Sequence, residues 1–274
     1  MKKTRDFENI RIIKSPIASL GKKTRYVQTI LRYVPKQRYD RWLEPFAGSC
    51  VVGFTEQPEN AVFSDVIPYG MQFFQKLKNG IYNPIDIQDM AEKIAIDIEF
   101  DNKVYKQLRE HFEENRDSLD YLFLSIFCRN NILEFKKNGG VSGSAGRIPR
   151  RTIRELSQTL TEIMKSIRKT WEFKITSYEN IFYDATKKDI VYVDPPIYFS
   201  GIQEYHVWTE EKQKKFREDC FALPCPCMAT LWLERRGKIN NEIEEWEKNG
   251  FSALSYPVQI SFNGRGKDVL LVRS

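Results

Sequence analysis

Histidine is nearly absent: the 274 residues contain only His111 and His206, which argues against a histidine-built metal centre. Cysteine is scarce as well. Cys50, Cys128, Cys220, Cys225 and Cys227 make an odd number, which fits a reducing cytoplasm rather than a disulfide framework. Cys220 with Cys225-Pro226-Cys227 lacks an evident fourth ligand, so the thiols read as small buried hydrophobes and no metal is expected. No apolar run approaches the length of a membrane span, and Met1–Ser19 is charged and interrupted, unlike a secretory leader. The expectation is therefore a cytoplasmic protein with no membrane partner. Neither sign of charge dominates: 43 Lys and Arg against 37 Asp and Glu leave +6, which permits a polyanionic partner without requiring one. The length suits one large α/β domain, or a domain carrying an insertion, and a chain of this size needs no disulfide staples.

What is present centres on Asp189–Gly201, which reads DIVYVDPPIYFSG. Ile190 to Val193 form a short, β-branched apolar run, as expected of a strand buried on both faces. Proline offers no N–H to a ladder, so the strand stops at Asp194-Pro195-Pro196. Asp194 is then held at the carboxyl end of a central strand, where open α/β sheets bind ligands. An acid on a rigid turn beside Tyr198 and Phe199 suits a flat substrate that donates hydrogen bonds. A strand closed by a proline turn, with Asp194 as a cap, is the plainer reading of the local sequence.

Further toward the N-terminus, Trp42-Leu43 runs into Glu44-Pro45-Phe46, then into the small-residue turn Ala47-Gly48-Ser49-Cys50, with a regular segment from Val51 to Phe54. This is the strand–turn–helix order of nucleotide-binding units. About 20 residues on, Ala61–Asp65 is a second strand ending in an acid, where such folds place a carboxylate on ribose hydroxyls. Asp65 can equally cap the segment starting near Pro68. A helix is expected over Arg25–Val34, opened by Gly21-Lys22-Lys23, a turn that suits an anionic group or is simply solvated. Met71–Leu77 is helical in pattern, and so is 84–127.

The stretch 129–154 differs from its surroundings. It holds seven basic residues against the one acid Glu134, and includes the loop Gly139–Gly146. A basic, glycine-rich segment with Asn130, Asn131 and Asn138 has the groups that contact nucleic-acid backbone and base edges, although charge runs are commonly solvated faces. A helix over Thr152–Thr170, a strand over Glu172–Ile175 and a turn at Ser177–Asn180 follow. Beyond Asp194 come a helix from Thr209, a strand over Cys227–Leu233, a helix over Ile239–Asn249, and two closing strands, Ala253–Ile260 and Val269–Arg273.

In this order the motifs resemble the Dam-type, α-group (D12 class) DNA adenine-N6 methyltransferases. Leu20-Gly21-Lys22 stands for that family's G-G-K, Glu44–Gly48 for its cofactor loop and Ser64-Asp65 for its ribose acid. Cys128–Asn131 with the basic loop stands for its target-recognition region. Asp194-Pro195-Pro196 stands for its D-P-P-Y, and Ser261–Gly264 with Lys267 for its closing element. The resemblance covers roughly 14–273. It implies an α/β, Rossmann-like S-adenosylmethionine-dependent methyltransferase sheet from 1–80 and 171–274, with an inserted, mainly helical target-recognition region over 81–170.

The implied activity is transfer of a methyl group from S-adenosylmethionine to the N6 amine of a flipped adenine at a specific site in double-stranded DNA, in restriction–modification or in marking phage or host DNA. The implied catalytic residues are Asp194, Pro195, Pro196, Ile197 and Tyr198. Lys22, Glu44, Pro45, Phe46, Ala47, Gly48, Asp65, Tyr178 and Asp194 would hold the cofactor. Arg129, Asn131, Lys136, Lys137, Arg147, Arg150, Arg151, Asn263 and Lys267 would hold DNA. A second methyltransferase subunit or a cognate restriction enzyme are the implied protein partners. Two positions depart from the pattern: Ile197 replaces the stacking tyrosine and Cys50 replaces a second glycine. They support the alternative of a DNA-binding relative with weak or no transfer of its own, acting as a partner subunit.

Overall fold

The apolar runs of the sequence come together in one sheet. The computed structural model describes residues 10–17, 23–35, 38–101, 103–129, 133–136, 140–196, 208–235, 237–259 and 265–274. After a 3-10 turn, Lys23–Arg25, the first half of the chain gives α1 (Val27–Arg32), β1 (Trp42–Pro45), α2 (Val51–Glu56), β2 (Ala61–Asp65) and α3 (Pro68–Lys78). A helical stretch follows: α4 (Pro84–Phe100), α5 (Lys103–Asn115), α6 (Ser118–Phe127), a two-residue hairpin β3–β4 (Glu134–Phe135 and Val141–Ser142), α7 (Arg150–Arg154) and α8 (Leu156–Ser166). The last third returns to the sheet with β5 (Trp171–Ile175), α9 (Tyr178–Tyr183), β6 (Ile190–Val193), α10 (Glu210–Ala222), β7 (Cys227–Arg235), β8 (Lys238–Ile239), α11 (Ile243–Lys248), β9 (Ser252–Gln259) and β10 (Arg265–Arg273).

The strand order is β5-β2-β1-β6-β7-β10-β9, with β8 added to β7. The five strands from β5 to β7 are parallel, and β10 and β9 close the far side antiparallel. This is a mixed α/β, Rossmann-like architecture. Its central strands are buried along their whole length, because helices cover both faces. Alternation sorts their side chains. Trp42, Phe63, Ile190 and Tyr192 enter one core together with α1 to α6 and α8. Leu43, Val62, Val191 and Val193 enter the other, with α9, α10 and α11. Phe112, Phe123, Leu156 and Leu160 from the helical stretch share the first core with Phe54, Phe63 and Trp171.

Local chemistry redraws several expected boundaries. The helical pattern of 84–127 is cut twice, because Asp101 accepts the N–H of Lys103 and Asp117 accepts that of Leu119, each starting a new helix. The expected helix 152–170 divides at Glu155 and ends at Ser166, where Ile167 turns extended. Ser177–Asn180, expected as a turn, opens α9. The segment from Ile239 first pairs with β7 as β8. Asn240 then accepts the N–H of Glu242 and only afterwards does the helix start.

One tight contact ties the first helix crossover to the sheet. A Cβ on Gly53 of α2 would lie 2.3 Å from Cε1 of Phe63 and 2.4 Å from Oε2 of Glu44, both fully buried side chains. Gly53→Ala gains roughly 1 kcal/mol of helix propensity but overpacks a rigid site at a cost of about 1–3 kcal/mol. The overpacking dominates, because neither neighbour has room to withdraw. Thermal unfolding is expected to show a lowered midpoint for the variant, and an unchanged or raised midpoint would contradict this packing.

Candidate active site and nucleic-acid surface

β1 and β6 lie side by side although nearly the whole helical stretch separates them in sequence. They pair at Trp42↔Ile190 and Leu43↔Val191. Beyond that point Pro45 and Pro195 have no N–H to extend the ladder. Connections run to opposite sides here, so this is the switch point at which open α/β sheets form a ligand crevice. Asp194 stands at its mouth, and Nζ of Lys23, a buried side chain in the 3-10 turn, donates to its Oδ2 at 2.7 Å. Burial raises the Asp194 carboxyl above its ordinary range, the lysine charge and hydrogen bond oppose that, and nearby Asp268 adds to the rise. Lys23, Asp194, Pro195, Pro196, Gln213, Thr230, Trp232 and buried Asp268 line a narrow cleft of about 20 Å³.

The neighbouring crossover supplies a second group of acids. Glu44 is buried and accepts from the Trp42 indole at 2.8 Å, with the Gly53 N–H also reaching it. Loss of solvent outweighs both bonds and pushes its carboxyl up to about 8, with the Asp194 charge adding to the rise. Asp65, at the end of β2, accepts the N–H of Gly48 at 3.0 Å and that of Ile67 at 2.9 Å, so it ties the turn after β1 to the start of α3. Burial nevertheless raises its carboxyl.

The turn itself is contorted: Phe46, Gly48 and Cys50 have φ of +63°, +47° and +56°. Left-handed backbone costs about 1–2 kcal/mol for a residue with a Cβ, which explains why a glycine suits the position of Cys50. The Phe46 ring stacks on Tyr178 with centroids 5.4 Å apart and meets Trp208 and Phe216 edge-on. Tyr178 is buried in that aromatic group, and its hydroxyl donates to Asp219.

The basic stretch forms a separate surface. Arg129, Arg147, Arg150 and Arg151 are exposed and line a cleft of about 800 Å³ together with Glu99. The cleft is drawn together by a close backbone crossing. Gly146 donates to the carbonyl of Phe127 and Arg129 to that of Ser144, and a Cβ on Gly146 would lie 2.8 Å from the Cα of Arg129. Lys136 pairs with Glu113 of α5, and Lys267 of β10 pairs with Glu234.

The sequence matches the family of D12 class N6 adenine-specific DNA methyltransferases over residues 19–228. The chain belongs to that family. It is 23% identical over 208 residues to the retron Ec67 DNA adenine methylase of Escherichia coli, across 70% of this chain and 67% of that protein. The protein is accordingly a methyltransferase enzyme, and its chemistry is adenine methylation in DNA. Among the described residues no helix is long and apolar enough to cross a membrane, and no group of three or more His, Cys, Asp or Glu is arranged to hold a metal ion.

In this methyltransferase Glu44, Pro45, Phe46, Ala47, Gly48, Asp65 and Asp194 gather along the carboxyl edge of the sheet, with Pro195 and Pro196 beside them. Tyr178 meets the group through Phe46. Arg129, Arg147, Arg150 and Arg151 gather on the second surface, and Lys136 and Lys267 stand outside that cleft. Lys22, Asn131, Lys137, Ile197, Tyr198 and Asn263 lie outside the described residues. The crevice's Lys23 and Asp268, like its Gln213, Thr230 and Trp232, are not among the expected site residues. Nothing in the Lys-Lys pair marks Lys23 as the side chain that meets Asp194. Asp268 lies just before the expected last strand, Val269–Arg273, but inside the observed one. An acid leading an apolar strand was the available signal.

Glu44 gives the methyltransferase a stability signature. Its carboxyl titrates near 4.5 when unperturbed and near 8 in the fold, so the folded chain holds a proton that the unfolded chain has already lost. Stability from this group is full below about 4.5 and declines as pH rises through 8, with a slope of up to about 1.4 kcal/mol per pH unit. Denaturant melts at several pH values across that window are expected to show a Glu44→Gln variant lacking this decline. Parallel pH profiles for the two proteins would mean that Glu44 is ionised in the fold.

Proposed function

We propose that this chain is a site-specific DNA methyltransferase that takes its methyl group from S-adenosylmethionine and places it on N6 of an adenine flipped out of double-stranded DNA. The observation that carries the reading is Asp194-Pro195-Pro196 at the switch-point crevice, with the Glu44–Cys50 turn on one side and Lys23 on the other. The donor set fits the cofactor: Asp65 and Asp194 at the ends of β2 and β6 suit a ligand with cationic sulfonium and ammonium centres, and the left-handed turn lets backbone come close to it. When bound, S-adenosylmethionine supplies an electrophilic methyl on a sulfur that leaves as a neutral thioether.

The residues of the chain do the rest. The adenine N6 lone pair is spread into the ring, and flipping exposes the amine at a cost of roughly a few kcal/mol. Asp194 and the Pro195 carbonyl accept its two hydrogens, which returns lone-pair density to nitrogen and fixes its direction. Once N6 is alkylated it must shed one proton, and the Asp194 carboxylate, raised by its burial, is the neighbouring acceptor. Residues 1–80 and 171–274 serve this chemistry, while 81–170 reads DNA. The biological setting we infer is DNA marking, in restriction–modification or on phage or host DNA, with a cognate restriction enzyme or a second subunit as partner.

Two measurements test this. Calorimetry with S-adenosylmethionine is expected to show binding to the protein alone. Asp194→Ala is expected to lower methyl transfer to DNA by roughly 10²–10⁴-fold while DNA binding persists. Transfer at an undiminished rate would remove Asp194 from the reaction.

A further inference from the structure

The arginine-lined cleft contains one acid whose position calls for an explanation. Of the four arginines, Arg151 pairs with Glu155 one helical turn away, an ordinary helix-surface pair. Arg150 is different: its Nη2 donates to Glu99 Oε1, from an element 51 residues distant. Glu99 sits in the last turn of α4, with Asp97 in the same turn and Asp101 just after it and no basic residue in that turn. A carboxylate at that end opposes the helix dipole, so helix stability does not account for it. Arg129 and Arg147 are exposed, held together by the Gly146 crossing, and no acid among the described residues pairs with either.

We propose that Glu99 is a positioning residue for sequence recognition, buttressing Arg150 so that its guanidinium reads a guanine edge, while Arg129 and Arg147 hold phosphates. This deepens the assignment of the cleft to DNA and rests on it. The chemistry separates the two kinds of arginine. A carboxylate beside a phosphate is repulsive, so a guanidinium meant for backbone gains nothing by carrying one. A guanidinium meant for a base gains direction. Arginine has five N–H donors in a planar fork, so one nitrogen can be tied to the acid while others make the paired contacts to O6 and N7 of guanine. Unneutralised Arg129 and Arg147 keep their full charge for backbone contact, the part of binding that carries no sequence information.

The test uses the full-length protein and the variants E99Q, R150K, R129A and R147A. N6-methyladenine is mapped by sequencing genomic DNA from an expression host without adenine methylation of its own. The salt dependence of binding is measured on a random-sequence duplex. E99Q and R150K are expected to relax the preference for one G·C pair near the methylated adenine by about tenfold or more, with the salt slope retained. R129A and R147A are each expected to weaken binding to every sequence and to lower the salt slope by about 1, with the sequence preference retained. If E99Q keeps the wild-type stringency, or simply binds all DNA more tightly with a steeper slope, Glu99 only repels and the proposal is overturned. If R129A and R147A both leave affinity and slope untouched, the cleft does not face DNA, a failure distinct from that of Glu99 alone.

Discussion

Two missing N–H groups shape the centre of this protein. Pro45 closes β1 and Pro195 follows the end of β6, and these strands are hydrogen-bonded only at Trp42↔Ile190 and Leu43↔Val191. Had either position carried an amide hydrogen, the ladder could have run further and the two chains would have stayed together. Instead they separate where the direction of winding reverses, and the separation leaves Asp194 reachable at the end of a strand that is otherwise buried on both faces. The 3-10 turn with Lys23 and buried Asp268 of β10 meet at this opening, and the turn after β1 leaves from the neighbouring strand.

Burial treats the acids along that edge differently. Glu44 faces an indole and a helix backbone, neither of which carries charge, so its carboxyl takes up a proton. Asp194 faces an ammonium, which opposes the same loss of water. Carboxyl groups pushed apart by their surroundings take different tasks. The neutral one braces a strand against a helix, and the one beside Lys23 faces the crevice. The second surface also pairs acids with its cations: Arg150 with Glu99 across the fold and Arg151 with Glu155 one turn on.

Much of the sheet was legible in the sequence because its strands are short, β-branched and closed by proline or acid. Ala61–Asp65 and Ile190–Val193 coincide with β2 and β6. The family was legible as well, from the order of motifs that are each individually short. Helix boundaries were harder to read: Asp101 and Asp117 look like surface acids until their oxygens are seen to cap a backbone. The motif marks Glu44, but its raised carboxyl comes from burial in the folded core, which outweighs the hydrogen bonds from Trp42 and Gly53 that oppose the rise. That Lys23 turns inward is likewise decided by the 3-10 turn, a conformation with no clear signature of its own.

The core shared between the helical stretch and the sheet has a consequence for how such proteins diversify. Phe112, Phe123 and Leu160 pack in the same apolar cluster as Phe54 and Trp171, so the segment that carries the arginines is not a cassette lifted out along a solvated seam. Exchanging it for a foreign counterpart would carry away part of the wall behind the sheet. Side-chain changes at the cleft rim leave that wall intact, whereas exchange of the whole segment does not.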